Sequence, residues 1–253
     1  MTTRHWFHIA LLALGCLLDN AAQAALRIGV SFAIPPYVIA DEDRGIEIEL
    51  LRAALVDSPE PLQVLYLPLA RSFQMLESGE LDGMLNLRPG MVDGVHYSQP
   101  VLTFRNMVIT SETRWPAGSL QRLTDLRQLK ILAFQRAREI LGRDFTSAVA
   151  AAPYYAETAK QSLQVRQLLR GRIDAVVMER RIFDYYLHDA ASSGQYLSHE
   201  VNQRFVKHDL FPPTDYCFAF RSQSIRDRFN RNLARLRANG EFARILARYG
   251  VSE

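Results

Sequence analysis

One short sequence pattern occurs twice in this chain and constrains its fold more than any other feature. The pattern Leu-x-x-Gly-x-(Leu/Ile)-Asp-(Gly/Ala)-apolar begins at Leu76 and again at Leu168, 92 positions later. In each copy the glycine can end a helix, and the apolar run after the aspartate is typical of a parallel strand buried on both faces. The repeat predicts two similar α/β units. Because ligands of open α/β sheets bind beyond the carboxyl ends of the strands, two facing units would enclose a cleft. The alternative is that helix, glycine, aspartate and strand form a common local arrangement in any α/β protein.

The first 24 residues have the organisation of a secretory signal peptide. Arg4 precedes an apolar run at 9–18, and a small-x-small cleavage site ends at Ala24. The apolar run is shorter than the roughly 20 residues that a membrane-spanning helix needs, and charges interrupt every later apolar run. We therefore expect a soluble, periplasmic mature chain that begins near Ala25. The alternative is a lipoprotein cleavage box at Cys16, which lacks the usual leucine three positions earlier.

Composition argues against several classes of function. Cys217 would be the only cysteine of the mature chain, so no intramolecular disulfide can form. The net charge is +3, and the arginines are scattered among acidic residues in an exported chain, so we expect no nucleic-acid partner. Ser98 lacks the Gly-x-Ser-x-Gly context of a nucleophile. The remaining histidines have no metal-ligand spacing, which predicts no metal site and no catalytic group among them: His96, His188, His199 and His208.

Apolar periodicity predicts alternating strands and helices along the chain. The predicted strands lie at 26–32, 63–67, 83–87, 106–110, 131–134, 175–178 and 216–220. One predicted helix begins at 45, and others cover 70–77, 138–150, 162–169 and 181–189. Thr124 is predicted to cap a short helix to 129, and Ser224 to cap a helix whose apolar stripe reaches Leu236, with a second short helix after Gly240. Because no low-complexity linker occurs, the two units should be tightly joined.

A series of short motifs extends over the mature chain. They are Pro36-Tyr37, Gly45-Ile46-Glu47-Ile48-Glu49, Gly79-Glu80-Leu81-Asp82, Tyr97-Ser98-Gln99-Pro100, Leu123-x-x-Leu126, Gly171-Arg172-Ile173-Asp174, and Asn232 with Gly240 and Tyr249-Gly250. In this order they resemble the family 3 bacterial extracellular solute-binding proteins, the amino-acid-type periplasmic binding proteins. The resemblance covers essentially the whole mature chain.

The resemblance implies an α/β protein with the two-lobed periplasmic binding protein type II fold and two crossover strands. Lobe 1 would comprise 25–109 together with 210–253, and lobe 2 would comprise 110–209. Such proteins close on a small polar solute, an amino acid or a related molecule, for an inner-membrane ABC-type transporter or a sensor. We accordingly expect a monomer without a cofactor, whose partners are the ligand and a membrane permease or sensor.

Two other functions are compatible with the resemblance. Cyclohexadienyl dehydratases resemble these proteins and use a carboxylate in the cleft, so an enzyme on the same fold is one alternative. Turnover of prephenate or arogenate would reveal it. A sensory input module is the other alternative, and it would need a membrane partner. Because the sequence shows no catalytic constellation, we expect a binding protein rather than an enzyme.

The chain departs from the family pattern at the ligand site. Typical amino-acid binders carry a Thr-x-x-Arg whose arginine binds the ligand carboxylate, whereas Met91 stands at that position here, in Arg88-Pro89-Gly90-Met91. The usual Gly-Thr at the start of the first lobe 2 helix is replaced by Arg136-Ala137. Ile34 replaces the loop aromatic that often stacks on the ligand. These departures leave the identity of the ligand open.

The two repeat strands supply the central site predictions. Arg88 ends the first repeat strand, and its planar guanidinium could bind a carboxylate through two hydrogen bonds; a surface arginine is the alternative. Asn86 on the same strand belongs to the predicted site. Glu179 follows the second repeat strand, where family members often place an acid that contacts the ligand amine. The alternative for Glu179 is an ion pair with Arg180 or Arg181.

Four further residues complete the predicted ligand site. Arg71, in the first turn of its helix, is either a cation of the pocket or part of a solvated face. Tyr37 follows Pro36 in the cleft loop and either stacks on the ligand or packs in the core. Gln135 and Arg136 precede a helix N-terminus, which is a natural anion site. We therefore predict an anionic ligand group held mainly by Arg88, with Arg71 or Arg136 assisting.

Overall fold

The protein consists of two β-sheets flanked by helices. The computed structural model describes residues 24–31 and 34–251. Within them the strands are β1 (Leu26–Ser31), β2 (Leu62–Leu67), β3 (Gly83–Leu87), β4 (His96–Tyr97), β5 (Leu102–Phe104), β6 (Asn106–Ser111), β7 (Lys130–Phe134), β8 (Tyr154–Thr158), β9 (Ala175–Glu179), β10 (Phe205–His208) and β11 (Thr214–Phe220). The α-helices are α1 (Ile46–Ala54), α2 (Leu69–Ser78), α3 (Ala137–Ala150), α4 (Gln161–Leu169), α5 (Arg180–Ser192), α6 (Ser198–Val201), α7 (Gln223–Ala238) and α8 (Glu241–Arg248).

The predicted signal peptide, apart from Ala24, lies outside the described residues, as does the alternative lipidation site at Cys16. Among the residues that are described, none of the helices combines the length and the apolar character needed to cross a bilayer.

The two sheets have the same strand order and the same directions. The first sheet runs β2-β1-β3-β11-β4, with β5 also paired to β11, and the second runs β8-β7-β9-β6-β10. In both sheets the first three strands are parallel and the fourth is antiparallel to them. Each unit is therefore a strand–helix–strand–helix–strand segment closed by one returning strand. This arrangement confirms the predicted α/β fold, and the two sheets with their helices are called lobe 1 and lobe 2 below.

The repeated pattern has the same structural role in both lobes. Gly79 and Gly171 adopt positive φ values of 85° and 63° after α2 and α4. The Asp82 backbone N–H donates to the Arg27 carbonyl at 2.8 Å, and the Asp82 carboxylate accepts from the Arg27 N–H at 2.8 Å. Asp174 makes the same two bonds, also at 2.8 Å, with Lys130. The aspartate thus fixes the start of β3 to the start of β1 in lobe 1, and the start of β9 to the start of β7 in lobe 2.

The chain crosses between the sheets twice. It passes from β5 to β6 at Arg105 and returns between β10 and β11. The predicted lobe limits, 25–109 with 210–253 and 110–209, stay a prediction, and the boundary at 109–110 falls within β6 of the second sheet. Apolar packing continues across the crossover, because buried Phe104 of lobe 1 and Met107 of lobe 2 belong to one cluster.

Two predicted helix caps are wrong. Ser224 lies inside α7, which begins at Gln223 after Ser222. Thr124 lies inside a 3-10 helix, Leu123–Gln128, and the cap there is the Asp125 carboxylate, which accepts from the Arg122 N–H at 2.9 Å. In both places the chain turns into the helix one or two residues before the polar side chain that the sequence pattern favours.

Candidate functional site

A cleft between the lobes opens at the carboxyl ends of the parallel strands. It contains about 1050 Å³ of empty space, the solvent at its mouth included. Its walls are formed by the ends of β3 in lobe 1 and of β7, β8 and β9 in lobe 2, together with the first turns of α3 and α4. This position matches the expectation for a ligand site in two facing α/β units. Five of the seven predicted site residues line the cleft: Asn86, Arg88, Gln135, Arg136 and Glu179.

Arg88 provides the lobe 1 wall with a positive charge. Its backbone N–H donates to the Met91 sulfur at 3.3 Å, which holds the turn after β3. Its guanidinium has no hydrogen bond or ion pair with any described residue. The Arg136 hydrogen bond chiefly, and the Arg88 charge in addition, hold the pKa of Glu139 in lobe 2 below its ordinary value. Arg88 therefore faces lobe 2 with its hydrogen-bonding capacity unused.

Asn86 combines an unusual backbone with an unpaired side-chain atom. Its φ of 61° is in the left-handed region, where asparagine is among the few non-glycine residues found. Its Oδ1 is buried and has no donor among the described residues. A buried acceptor without a donor is rare in native proteins. Asn86 is thus a second unsatisfied group on the lobe 1 wall.

The helix N-terminus predicted to bind an anion is already occupied by a carboxylate of the chain. The Glu157 carboxylate accepts from the backbone N–H groups of Arg136, at 2.7 Å, and Arg138, at 3.0 Å, and from the Tyr155 hydroxyl at 2.6 Å. Burial raises the pKa of Glu157, but these hydrogen bonds outweigh it and leave the pKa below its ordinary value. Because Glu157 is held ionised at this helix end, a ligand anion would have to displace it.

The Arg136 side chain is also engaged within lobe 2. Its Nε donates to the Glu139 carboxylate at 2.7 Å, and a second guanidinium nitrogen bonds the other oxygen. Arg136 itself has a φ of 65°, so the chain turns sharply between Gln135 and α3. Gln135 and Arg136 both line the cleft, but Arg136 can bind a ligand anion only by sharing or leaving Glu139.

Glu179 lies at the back of the cleft and caps α5. Its carboxylate accepts from the backbone N–H groups of Arg181, at 2.7 Å, and Ile182, at 3.2 Å, and more weakly from that of Arg105, at 3.4 Å. Only 2% of Glu179 is exposed, and burial raises its pKa, an effect that these donors and the Arg181 charge only partly offset. Glu179 therefore links the crossover at Arg105 to the start of α5, and it also lines the cleft.

The other two predicted site residues do not line the cleft. Tyr37 is fully buried and its ring stacks on Phe104, with 4.4 Å between ring centroids, so that Phe104 rather than Tyr37 faces the cleft. Burial, and secondly the charge of Glu179, raise the pKa of the Tyr37 hydroxyl well above its ordinary value. Arg71 is exposed on α2. Their proposed contacts with a ligand remain predictions.

Several cleft residues were not predicted from the sequence. Tyr216 of β11 lines the cleft and its ring lies 4.6 Å from Phe104, so the two crossover strands contribute an aromatic wall. Asn106 begins β6 and Gln161 begins α4. The Oε1 atom of Gln161 is buried and has no donor among the described residues. The one available signal was the position of Gln161 directly before a predicted helix, on the lobe 2 side of the repeat.

The residues that the structure describes contain no group of three or more histidine, cysteine, aspartate or glutamate side chains placed to hold a metal ion.

The sequence model of the protein family called bacterial extracellular solute-binding proteins, family 3, matches residues 26–252 of this chain. The chain belongs to this family. Membership implies a periplasmic or extracellular location and confirms the resemblance inferred from the motifs. Comparison with curated proteins gives no match.

Solved structures share the fold at low sequence identity. An amino acid ABC transporter substrate-binding protein from Streptococcus pneumoniae bound to L-arginine aligns with a TM-score of 0.68 and 16% identity, over 90% of this chain and 95% of that one. A histidine kinase sensor domain with similarity to periplasmic binding proteins gives 0.69 and 18%, over 92% and 100%. The ancestral amino-acid-binding protein AncCDT-1, a precursor of cyclohexadienyl dehydratase, gives 0.67 and 17%, over 90% and 96%. These likenesses confirm the two-lobed fold of the family.

Proposed function

We propose that this protein captures a small polar solute, an amino acid or a related molecule, between its two lobes, and that Arg88 holds an anionic group of that solute. The observation that carries the proposal is the guanidinium of Arg88, which lines the interlobe cleft without a partner among the described residues. An unpaired arginine fork in a partly enclosed site is suited to a carboxylate, which it can bind through two hydrogen bonds.

The remaining charges of the cleft support the same orientation. In lobe 2 the positive charge of Arg136 is paired with Glu139, and Glu179 adds a second acid beside the crossover. The lobe 1 wall is thus the more positive one, and the lobe 2 wall is the more negative one. A zwitterion with its anionic group on Arg88 and its cationic or donor groups toward lobe 2 matches this polarity. Arg71 and Arg136 remain proposed assisting cations with smaller effects.

We further propose that the protein acts in the periplasm, after cleavage near Ala24, as a monomer that delivers its ligand to an ABC-type permease or to a membrane sensor. The signal pattern at 1–24 supports export. The family supports solute capture, and the related structures include both a transporter component and a kinase sensor domain. Crosslinking of the periplasmic protein to membrane proteins, with and without ligand, distinguishes the two partners.

The described carboxylates of the cleft support a binding protein over a dehydratase. Glu139 is paired with Arg136, and Glu179 accepts hydrogen bonds from the start of α5, so each already has partners. Incubation with prephenate and arogenate tests the enzyme alternative directly. We expect no turnover above the uncatalysed rate, and a rate that depends on Glu139 or Glu179 would contradict the proposal.

The test of solute capture begins with mass spectrometry of small molecules released from the purified protein. Calorimetry with the molecule so identified then compares the wild type with Arg88→Ala. Because a hydrogen bond to a charged group contributes about 1.5–3 kcal/mol, we expect the variant to bind about 10- to 100-fold more weakly.

The matched control is Arg231→Ala, at an exposed arginine of α7 outside the cleft. It should bind like the wild type. Equal affinities for Arg88→Ala and the wild type would show that Arg88 does not hold the ligand.

A further inference from the structure

A second groove lies between the lobes, and it is called the basic groove below. It contains about 1590 Å³ of empty space, the solvent at its mouth included, and it shares no lining residue with the cleft in the part of the chain that the structure describes. On β6, Asn106 lines the cleft and the next residue, Met107, lines the basic groove. Because successive side chains of a strand point to opposite faces, the two cavities lie on opposite faces of β6. The basic groove is therefore separate from the cleft proposed to capture the solute.

The charged side chains of the basic groove are mostly cations. Among the described residues, five arginines or lysines line it together with one acid: Arg44, Arg180, Arg181, Lys207, Arg248 and the acid Asp184. Two of the cations lie in lobe 1, before α1 and at the end of α8, and the other three lie in lobe 2, on α5 and β10. Both walls thus carry positive charge, and a cavity lined by one sign of charge concentrates ions of the opposite sign.

Arg180 has hydrogen-bonding capacity that the chain does not use. It is the first residue of α5, and its backbone N–H donates to the Arg105 carbonyl at 3.1 Å, which holds it beside the crossover. Its guanidinium is partly buried and has no hydrogen bond or ion pair with any described residue. Burial removes part of its hydration without supplying an acceptor. An oxyanion in the groove would supply two acceptors in the geometry that the guanidinium fork fits.

Tyr185 adds a neutral donor to the same face of α5. Its hydroxyl has no hydrogen bond with a described residue. Burial chiefly, then the charges of Asp189 and of Glu42 in lobe 1, raise the pKa of this hydroxyl, while the charge of Arg44 lowers it. The hydroxyl therefore keeps its proton at neutral pH and can donate it to an anion.

The other cations are held in weak or shared contacts. Three of them form ion pairs in which at least one partner is more than half exposed: Arg44 with Glu42 at 2.5 Å, Lys207 with Asp184 at 2.5 Å, and Arg248 with Glu49. The fifth cation, Arg181, donates to the Tyr37 hydroxyl at 3.5 Å. Because exposed ion pairs contribute little free energy, a ligand anion can share these cations at small cost.

We propose that the basic groove binds a small molecule with two or more oxyanion groups, phosphates or carboxylates, which contacts Arg180 in lobe 2 and Arg248 in lobe 1. The arginine fork binds both kinds of group through paired hydrogen bonds. Because cations line both walls, a molecule with two separated anionic groups meets more of them than a monatomic ion does. This site does not depend on the function proposed for the cleft.

Calorimetry of the purified protein with inorganic pyrophosphate and with citrate, at constant ionic strength, tests the proposal. We expect at least one of the two probes to bind the wild type, and the probe that binds more tightly identifies phosphate or carboxylate as the preferred group. Arg180→Ala and Arg248→Ala should each weaken that binding about tenfold, because each removes hydrogen bonds between charged groups.

Arg231→Ala is the matched control, since it removes an exposed arginine of α7 that lines neither cavity. It should leave the affinity for the probe unchanged, and so should Arg88→Ala in the cleft. The proposal is overturned if neither probe binds, if Arg180→Ala binds the probe as tightly as the wild type, or if Arg88→Ala abolishes the binding. Solute capture is tested separately, with the molecule released from the purified protein.

Discussion

At the scale of single residues, Glu47 is a buried acid without a partner. It lies in the first turn of α1, it is 1% exposed, and neither carboxylate oxygen has a hydrogen bond with a described residue. Burial raises its pKa to about 8, so the folded protein keeps this group protonated at neutral pH. After burial, which is the main cause, the charge of an ionised Glu47 raises the pKa of Tyr216 in the cleft wall, so Glu47 is close enough to influence the ligand site. Protonated Glu47 places no negative charge there.

Glu47 should make the protein less stable as the pH rises. The unfolded chain releases this proton near the ordinary pKa of about 4.5 and the folded chain near 8, so the folded state binds more protons between these values. The free energy of unfolding should therefore fall progressively between about pH 4.5 and 8 and stay constant above that. At 1.36 kcal/mol per pKa unit the total loss is roughly 4–5 kcal/mol. Glu47→Gln removes this loss and should be several kcal/mol more stable than the wild type at pH 9 but similar at pH 4.5.

Urea unfolding of both proteins between pH 4.5 and 9 measures this difference. Glu77→Gln, at an exposed acid of α2, serves as the control and should follow the wild-type profile. Parallel profiles for Glu47→Gln and the wild type would mean that folding does not raise the pKa of Glu47.

At the scale of elements, local patterns predicted the strands and helices that carry strong periodicity, but four strands were missed: β4, β5, β8 and β10. β8 and β10 end the second sheet, and each has a neighbouring strand on one side only. Both contain partly exposed residues and lack a regular alternation of buried and exposed positions. Their strand structure depends on the partner across the ladder, which a local pattern does not contain. The Glu157 cap was missed for the same reason, since it comes from β8 to a helix about 20 residues earlier in the chain.

The repeated aspartates make a prediction at this scale. Removing either carboxylate leaves a strand-end N–H without its acceptor, at a cost of about 1–3 kcal/mol. Asp82→Ala and Asp174→Ala should therefore both lower the free energy of unfolding by this amount, and Asp174→Ala the more, because Asp174 also pairs with Arg114 at 2.7 Å. Urea unfolding provides the measurement.

The control for these variants is Asp144→Ala, at an exposed position of α3, which should change stability by less than about 0.5 kcal/mol. If neither Asp82→Ala nor Asp174→Ala exceeds the control, the two aspartate carboxylates would contribute nothing measurable to stability.

At the scale of the whole molecule, the two-lobed plan was predictable because the ordered motifs cover the chain, but the chemistry of the cleft was predictable only in part. Arg88 and Asn86 were found because they end a repeat strand. Gln161 and Tyr216 were missed because they reach the cleft from elements that only the tertiary fold brings to β3. Sequence reasoning also gave no sign that Tyr37 stands behind Phe104.

A ligand that contacts Arg88 in lobe 1 and the cleft wall of lobe 2 at once should draw the lobes together. We expect the radius of gyration from small-angle X-ray scattering to fall when the wild type is saturated with the ligand found by mass spectrometry. The unfolding free energy should rise by about 2.7 kcal/mol at a ligand concentration of 100 Kd. Superimposable scattering curves with and without saturating ligand would argue against closure.

The position of β11 in the first sheet has a consequence for how the chain is assembled. Lobe 2 is built from a continuous stretch, β6 to β10, whereas lobe 1 needs β11 to cover the edge of β3. It also needs α7, where Asn232 bonds the carbonyl of Ala54 in α1 at 2.8 Å. Because the chain emerges from its N-terminus, lobe 2 can be completed before lobe 1. Until β11 emerges, one edge of β3 stays unpaired, and unpaired strand edges can pair with other chains. During the period between the emergence of β3 and that of β11, this edge is therefore available for pairing with other strands.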